Sequence, residues 1–206
     1  MKVIAVSAHP DDMELSCSGH LLKLQSQGAD IISVVTVKPS AEANPARSQQ
    51  IVKQELDRSY RLSGFELRVF DTPLHSNGRP NLCVDNNTMT ELAQLLESCD
   101  LAIIPNPHDY HQDHRATHAL ALPLLLSRAR EIWCMSSVPY CYHQADAANV
   151  TSDISDHWST KKQLLECYSS YITDSMIQKV QHSNQHWAGK INTDYAEQFQ
   201  CIHRAV

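Results

Sequence analysis

Val3-Ile4-Ala5-Val6-Ser7-Ala8-His9-Pro10-Asp11-Asp12 decides how this chain is read: a short apolar run, a His-Pro turn, and two acidic residues ahead of a helical pattern. From Glu14 to Gln27 apolar residues recur at helical spacing through Leu15, Leu21, Leu22 and Leu24. Gly28 then stands where a helix stops in a left-handed turn. The β-branched run Ile31-Ile32-Ser33-Val34-Val35-Thr36-Val37 is the next strand, and a polar stretch with Pro39 and Pro45 leads to a helical pattern over Ile51 to Leu62. The order so far is β-α-β-α.

Working outward, the alternation continues. Leu67 to Phe70 reads as a strand, His75 to Pro80 as a polar loop, Met89 to Leu96 as a helix and Leu101 to Ile104 as a strand. Thr117 to Leu126 is a helix that Pro123 is expected to kink, and Glu131 to Met135 is a strand. Pro139 to Val150 is irregular, and Lys161 to Tyr171 is helical again. Repeated β-α units predict an α/β, Rossmann-like three-layer fold, with helices on both faces of a mainly parallel sheet. No repeat or linker divides residues 1–206, so one domain is expected. In such sheets ligands bind beyond the carboxyl ends of the strands.

Composition narrows the function. A hydrophobic share of 42% is that of an ordinary globular chain. The net charge of −6 comes without a Lys/Arg cluster, which argues against nucleic-acid partners. No apolar stretch approaches membrane-spanning length and no signal-like h-region opens the chain, so no membrane insertion and a cytoplasmic location are expected. Seven cysteines, odd in number and never spaced C-x-x-C, fit neither a disulfide framework nor a thiolate zinc site. Cys17 is expected to pack as a small hydrophobe.

Two polar constellations carry the chemistry. Ala8-His9-Pro10-Asp11-Asp12-Met13-Glu14 joins the first strand to the first helix. Either Asp could cap that helix, although two adjacent acids after His-Pro strain so plain a role. Pro107-His108-Asp109-Tyr110-His111-Gln112-Asp113-His114-Arg115-Ala116-Thr117-His118 follows the strand Leu101 to Ile104 and holds four of the twelve histidines. A chance surface cluster would have no reason to share a sheet edge with the first motif. Catalytic zinc takes three ligands from His and carboxylate and leaves a position for water, whose pKa falls to about 7. His, Asp and His can supply that set, and a mixed imidazole and carboxylate shell also accepts other divalent transition metals.

The A-H-P-D-D opening together with H-x-D-H at a later strand end resembles the PIG-L/LmbE-like N-acetylglucosaminyl deacetylases. Similarity extends through Glu14, Gly19, Asp153-Ile154-Ser155 and the segment from Lys161-Lys162 to Ser170, over most of the chain. The resemblance implies zinc held by His9, Asp12 and His114, with Asp11 as general base on the attacking water and later proton donor to the amine. It implies His111 as the group that stabilises the oxyanion, oriented by Asp113. The implied substrate is a small N-acetylated amino sugar or its conjugate; the alternatives are an amidase acting on a non-sugar amide and a non-catalytic metal- or sugar-binding protein on the same scaffold. His108 and His118 stay outside the metal shell.

The sequence departs from the family pattern at the pocket wall. His20 replaces a small or hydroxylic residue, Ser16 and Ser18 stand where glycines are common, and Tyr171 stands where a Gln often follows. The sugar-holding R-x-x-E of relatives has no clean match in Arg47 and Lys53-Gln54-Glu55. The polar loop around His75 to Arg79 offers little lid material, which fits a small soluble substrate or a homo-oligomer whose neighbour completes the pocket.

Overall fold

A computed structural model describes residues 1–38, 48–73, 76, 80–136 and 148–205. Pro39, Pro45, Arg47, Cys141, most of the His75 to Arg79 loop and most of the Pro139 to Val150 stretch lie outside them. The first half of the chain runs β1 (Lys2–Ser7), α1 (Asp12–Ser16), α2 (Ser18–Ser26), β2 (Asp30–Val35), α3 (Gln49–Ser63), β3 (Glu66–Val69), α4 (Asn86–Leu92) and β4 (Cys99–Pro105). It continues with α5 (Gln112–Leu125), β5 (Ala129–Met135), β6 (Val150–Asp153), a 3₁₀ turn at Ser155–His157, α6 (Trp158–Glu166), α7 (Asp174–Ala188) and β7 (Ala196–Arg204).

The strands form one seven-stranded sheet in the order β3-β2-β1-β4-β5-β7-β6. The first five pair in parallel, and β7 joins β5 and β6 antiparallel. Side chains alternate across the central strand, and that alternation builds two cores. Val3 and Ala5 pack with Leu21, Leu56, Tyr60 and Leu164 on one face. Ile4 and Val6 pack with Leu92, Leu120 and Leu125 on the other. The expected three-layer, mainly parallel architecture is therefore present.

Local chemistry sets the element ends. Ser48 caps α3 by accepting the Ile51 amide, and Gly64 closes it at φ 73°, where a side chain would be strained. Gly28, at φ 87°, ends α2 as its position led one to expect. The helix expected over Glu14 to Gln27 is two helices, because Cys17 breaks the run at φ −140° and ψ 3°. α5 starts at Gln112 rather than Thr117, which brings His114 onto the helix, and Pro123 lies within its last turn. The last helix and the antiparallel strands β6 and β7 had no periodic signature strong enough to be read. β7 nevertheless seals the sheet beyond β5, with α7 tied to it through Asn184 Nδ2 on the Ala196 carbonyl.

Chain direction divides between β1 and β4. From β1 the chain moves to β2 on one side of the sheet, whereas β4 and β5 lie on the other. The crevice beyond the carboxyl ends of β1 and β4 is the place where such sheets bind ligands. Both polar constellations open into it.

Candidate active site

The first half of the site is the turn Ala8 to Asp12. Asp11 occupies the N-cap position of α1, yet its carboxylate makes no capping bond, so the capping role open to it from sequence is not the one it fills. Asp12 folds back instead: its Oδ2 accepts the His9 amide at 2.7 Å and lies 3.5 Å from His9 Nδ1. Its other oxygen, Oδ1, lies 3.2 Å from His114 Nε2. One carboxylate therefore stands between two imidazoles from different strand ends.

The second half is built by α5 and the loop before it. Asp109, buried and absent from the residues singled out by sequence, does most of the building. Its Oδ1 accepts the His111 amide at 2.8 Å, and its Oδ2 lies 2.8 Å from His114 Nδ1. Arg115 donates back to the carbonyls of Asp109 and Tyr110, closing the loop on itself. His111 caps α5, its Nδ1 accepting the Asp113 amide at 3.3 Å. That bond assigns the proton of a neutral His111 to Nε2.

The Asp113 carboxylate lies 3.0 Å from His9 Nε2 and 4.0 Å from His111 Nδ1, so it holds His9, and what it gives His111 is its backbone amide. The three imidazoles meet in one place. His9 and His111 have ring centroids 4.6 Å apart, His111 and His114 4.9 Å, and one nitrogen from each falls within 4.8 Å of the others. The sequence-predicted residues His9, Asp12, His111, Asp113 and His114 are thus brought together. Asp11 adjoins them in the chain and helps raise the His9 pKa by its charge. His118 points elsewhere, with its Nδ1 on the Pro105 carbonyl at 2.8 Å. Cys17 is fully buried beside Met135, a packing residue as expected. Cys83, Cys99, Cys167 and Cys201 carry free thiols, as does Cys17.

The electrostatics follow from crowding. Burial works against charge on His9, but the Asp12 carboxylate, with Asp113, outweighs it and lifts the pKa to about 10. Burial is likewise overcome at His114, where Asp12 and Asp109 raise it to about 9. Asp12, although buried, is held well below the carboxylate range by His114 and His9. His111 moves the other way: burial and the charges of His9 and His114 lower it, which favours a neutral ring. In the absence of another cation, protons on His9 and His114 offset part of the charge of these carboxylates.

A divalent transition metal suits the same donors. His9, Asp12 and His114 offer two imidazoles and a carboxylate, with Asp113 holding the far nitrogen of His9 and Asp109 that of His114. Carboxylates behind ligating imidazoles are how proteins orient metal-binding histidines and fix their tautomers. A metal would displace the protons that these rings otherwise carry.

Comparison with known proteins supplies the context. The family model described as PIG-L, GlcNAc-PI de-N-acetylase, matches residues 4–125, more than half of the chain. A conserved protein from Thermus thermophilus superposes with a TM-score of 0.81 at 19% identity, over 99% of this chain and 95% of that one. The N,N'-diacetylchitobiose deacetylase of Pyrococcus horikoshii gives a TM-score of 0.77 at 20% identity, over 98% and 83%. The 4-carboxy-2-hydroxymuconate hydratase of Pseudomonas putida gives 0.78 at 16% identity, over 100% and 97%. At these identities the structures establish a shared fold. Among the described residues no helix is long and apolar enough to cross a membrane.

Proposed function

The chain belongs to the PIG-L family of GlcNAc-PI de-N-acetylases, and from that premise we propose that it is a zinc-dependent hydrolase removing the acetyl group from the nitrogen of a small amino sugar or amino-sugar conjugate. The observation that carries the reading is the pair of carboxylate-backed imidazoles, His9 with Asp113 and His114 with Asp109, on either side of Asp12. His9, Asp12 and His114 are the residues that would hold the ion. When bound there, zinc supplies Lewis acidity, polarising the amide carbonyl and making water a stronger acid.

The remaining steps belong to the protein. Asp11, its carboxylate not engaged in capping α1, takes a proton from the attacking water. The water oxygen bonds to the acetyl carbon, the carbon–nitrogen bond breaks, and Asp11 returns the proton to the departing amine. His111, neutral and protonated on Nε2, donates to the oxygen that gains negative charge in between. Acetic acid and a primary amine leave, and the acid gives up its proton to solvent. The N,N'-diacetylchitobiose substrate of the Pyrococcus enzyme supports a small N-acetylated sugar for this chain. The muconate hydratase on the same fold makes the test necessary, because fold alone does not choose the reaction.

The test is primary-amine release from N-acetylated sugars and sugar conjugates, with and without chelation and zinc return. Release that stops with chelator and resumes with zinc is expected. A chain that binds one zinc and releases no amine from any member of the panel would overturn the deacetylase reading.

A further inference from the structure

The segment from Lys161 to Ser170 lies beyond residues 4–125 matched by the family model, and none of its residues enters the mechanism above. We propose that α6 and the turn after it form a splint for the catalytic turn, with Lys161 and Tyr168 as positioning residues for Asp11 and Asp12. The proposal rests on the reading of that turn as catalytic.

α1 has only five residues. A helix so short has no stable orientation of its own and takes one from its contacts. Ser59 of α3 holds the Glu14 carboxylate and His114 of α5 faces Asp12, whereas α6 and the turn after it reach the backbone at both ends of α1. At the start of α1, the Tyr168 hydroxyl reaches the Pro10 carbonyl, next to Asp11, and lies 2.9 Å from Glu14 Oε1. At its far end, Lys161 Nζ donates to the Leu15 carbonyl at 3.4 Å. Lys161 and Tyr168 are about two helical turns apart in sequence, so they serve the two ends of α1 from one side. Both are fully buried.

The Lys161 charge is answered within the same device. Glu197 on β7 lies 2.6 Å from Nζ, both side chains are wholly excluded from solvent, and its two oxygens accept the amides of Gly19 and His20. The cation thus sits at the carbonyl end of α1 and the anion at the amide end of α2, the arrangement that helix dipoles favour. The pair spans the break at Cys17. Gly19 makes room for it, since a Cβ there would meet Ile154 Cδ1 at 2.6 Å and Glu197 Oε1 at 3.0 Å. Apolar side chains of similar volume commonly stabilise a core as well as a buried ion pair does. What this pair adds is direction, at the two helix ends that set the angle of α1.

Tyr168→Phe, the double variant Lys161→Met/Glu197→Gln, and Lys162→Met as an exposed control test the proposal. Backbone amide exchange is followed across the chain, and the visible d–d spectrum and affinity are measured with Co²⁺ alone. The first two variants are expected to speed exchange of Asp12 to Cys17 at least about tenfold while α5 and the central strands keep their rates. They are also expected to shift the Co²⁺ bands and weaken binding about tenfold, the scale typical of lost support behind metal ligands. Lys162→Met should match the wild type. Exchange that is unchanged at α1, or raised evenly over the whole chain, would overturn the splint. If the wild-type chain shows no Co²⁺ bands, the metal reading fails on its own, and exchange at α1 still decides the splint.

Discussion

Two polar clusters lie on either side of α1, one wholly buried and one half-buried, and they are balanced in opposite ways. Lys161 and Glu197 are closed in charge: one cation, one anion, and the remaining hydrogen-bonding capacity directed to backbone at Leu15, Gly19 and His20. At the strand ends the carboxylates of Asp11, Asp12, Asp109 and Asp113 outnumber the imidazoles of His9, His111 and His114, and protons on His9 and His114 offset only part of their charge. A closed cluster has nothing to exchange with solvent or ligand. An unbalanced one holds a place for a cation, and that difference separates a structural polar core from a site.

The largest effect should come from breaking the unbalanced cluster. Asp11→Asn keeps the donors of His9, Asp12 and His114, so metal content by elemental analysis should be unchanged while turnover falls by about 10²–10⁴, the range for a lost general base. His114→Ala should lose metal and turnover together. If Asp11→Asn retains near wild-type amine release, Asp11 is not the base.

Breaking the balanced cluster should act on stability. Lys161→Met leaves the Glu197 carboxylate buried and unpaired, an arrangement that costs about 3–5 kcal/mol. Urea unfolding should show that loss, and Lys161→Met/Glu197→Gln should recover much of it. Equal stability of the single and double variants would mean that Lys161 and Glu197 do not neutralise each other in the fold.

The two clusters were unequally legible in the sequence. His9, Asp12 and His114 are drawn from dense local motifs placed after apolar runs, so chain order and strand-end position suffice to bring them to one edge. Lys161 and Glu197 come from elements far apart in the chain, and Glu197 lies on β7, a strand that periodicity did not reveal. Nothing local marks a charged residue in an ordinary helical pattern as buried. The break at Cys17 was hidden for the same reason, because the leucine spacing runs through it while the deciding contacts are tertiary. Asp109 is an intermediate case: it lies inside the histidine-rich motif from Pro107 to His118, but the family resemblance assigns the orienting role to Asp113. The signal that could have found it is its spacing to His114, close to one and a half turns, across an Asx turn that only the folded loop displays.

Asp109 therefore offers a smaller and sharper test. Asp109→Asn preserves shape but removes the charge behind His114 Nδ1. Zinc affinity, measured by competition with a chromophoric chelator, should weaken about 10–100-fold. Turnover at saturating zinc should change less. An Asp113→Asn variant should weaken binding by the same route through His9. Wild-type affinity in both variants would show that these carboxylates do not support the donors.

The smallest effect is a slope. His20 packs beside Trp133 and Phe199, donates its backbone amide to Glu197, and has a ring pKa lowered to about 4, first by burial and then by the Lys23 charge. Its unfolded form titrates near 6.5, so between those values the unfolded chain binds a proton that the folded chain refuses. Stability from His20 is then complete above about pH 6.5 and is lost as pH falls toward 4, by about 1.4 kcal/mol per pH unit. His20→Phe keeps the aromatic contacts and removes the titration, so its unfolding free energy between about pH 6.5 and 5 should fall less steeply than that of the wild type by that amount. Equal slopes would mean that His20 takes up its proton in the folded chain, and the region around Glu197 would then share the exchangeable charge that otherwise distinguishes the site.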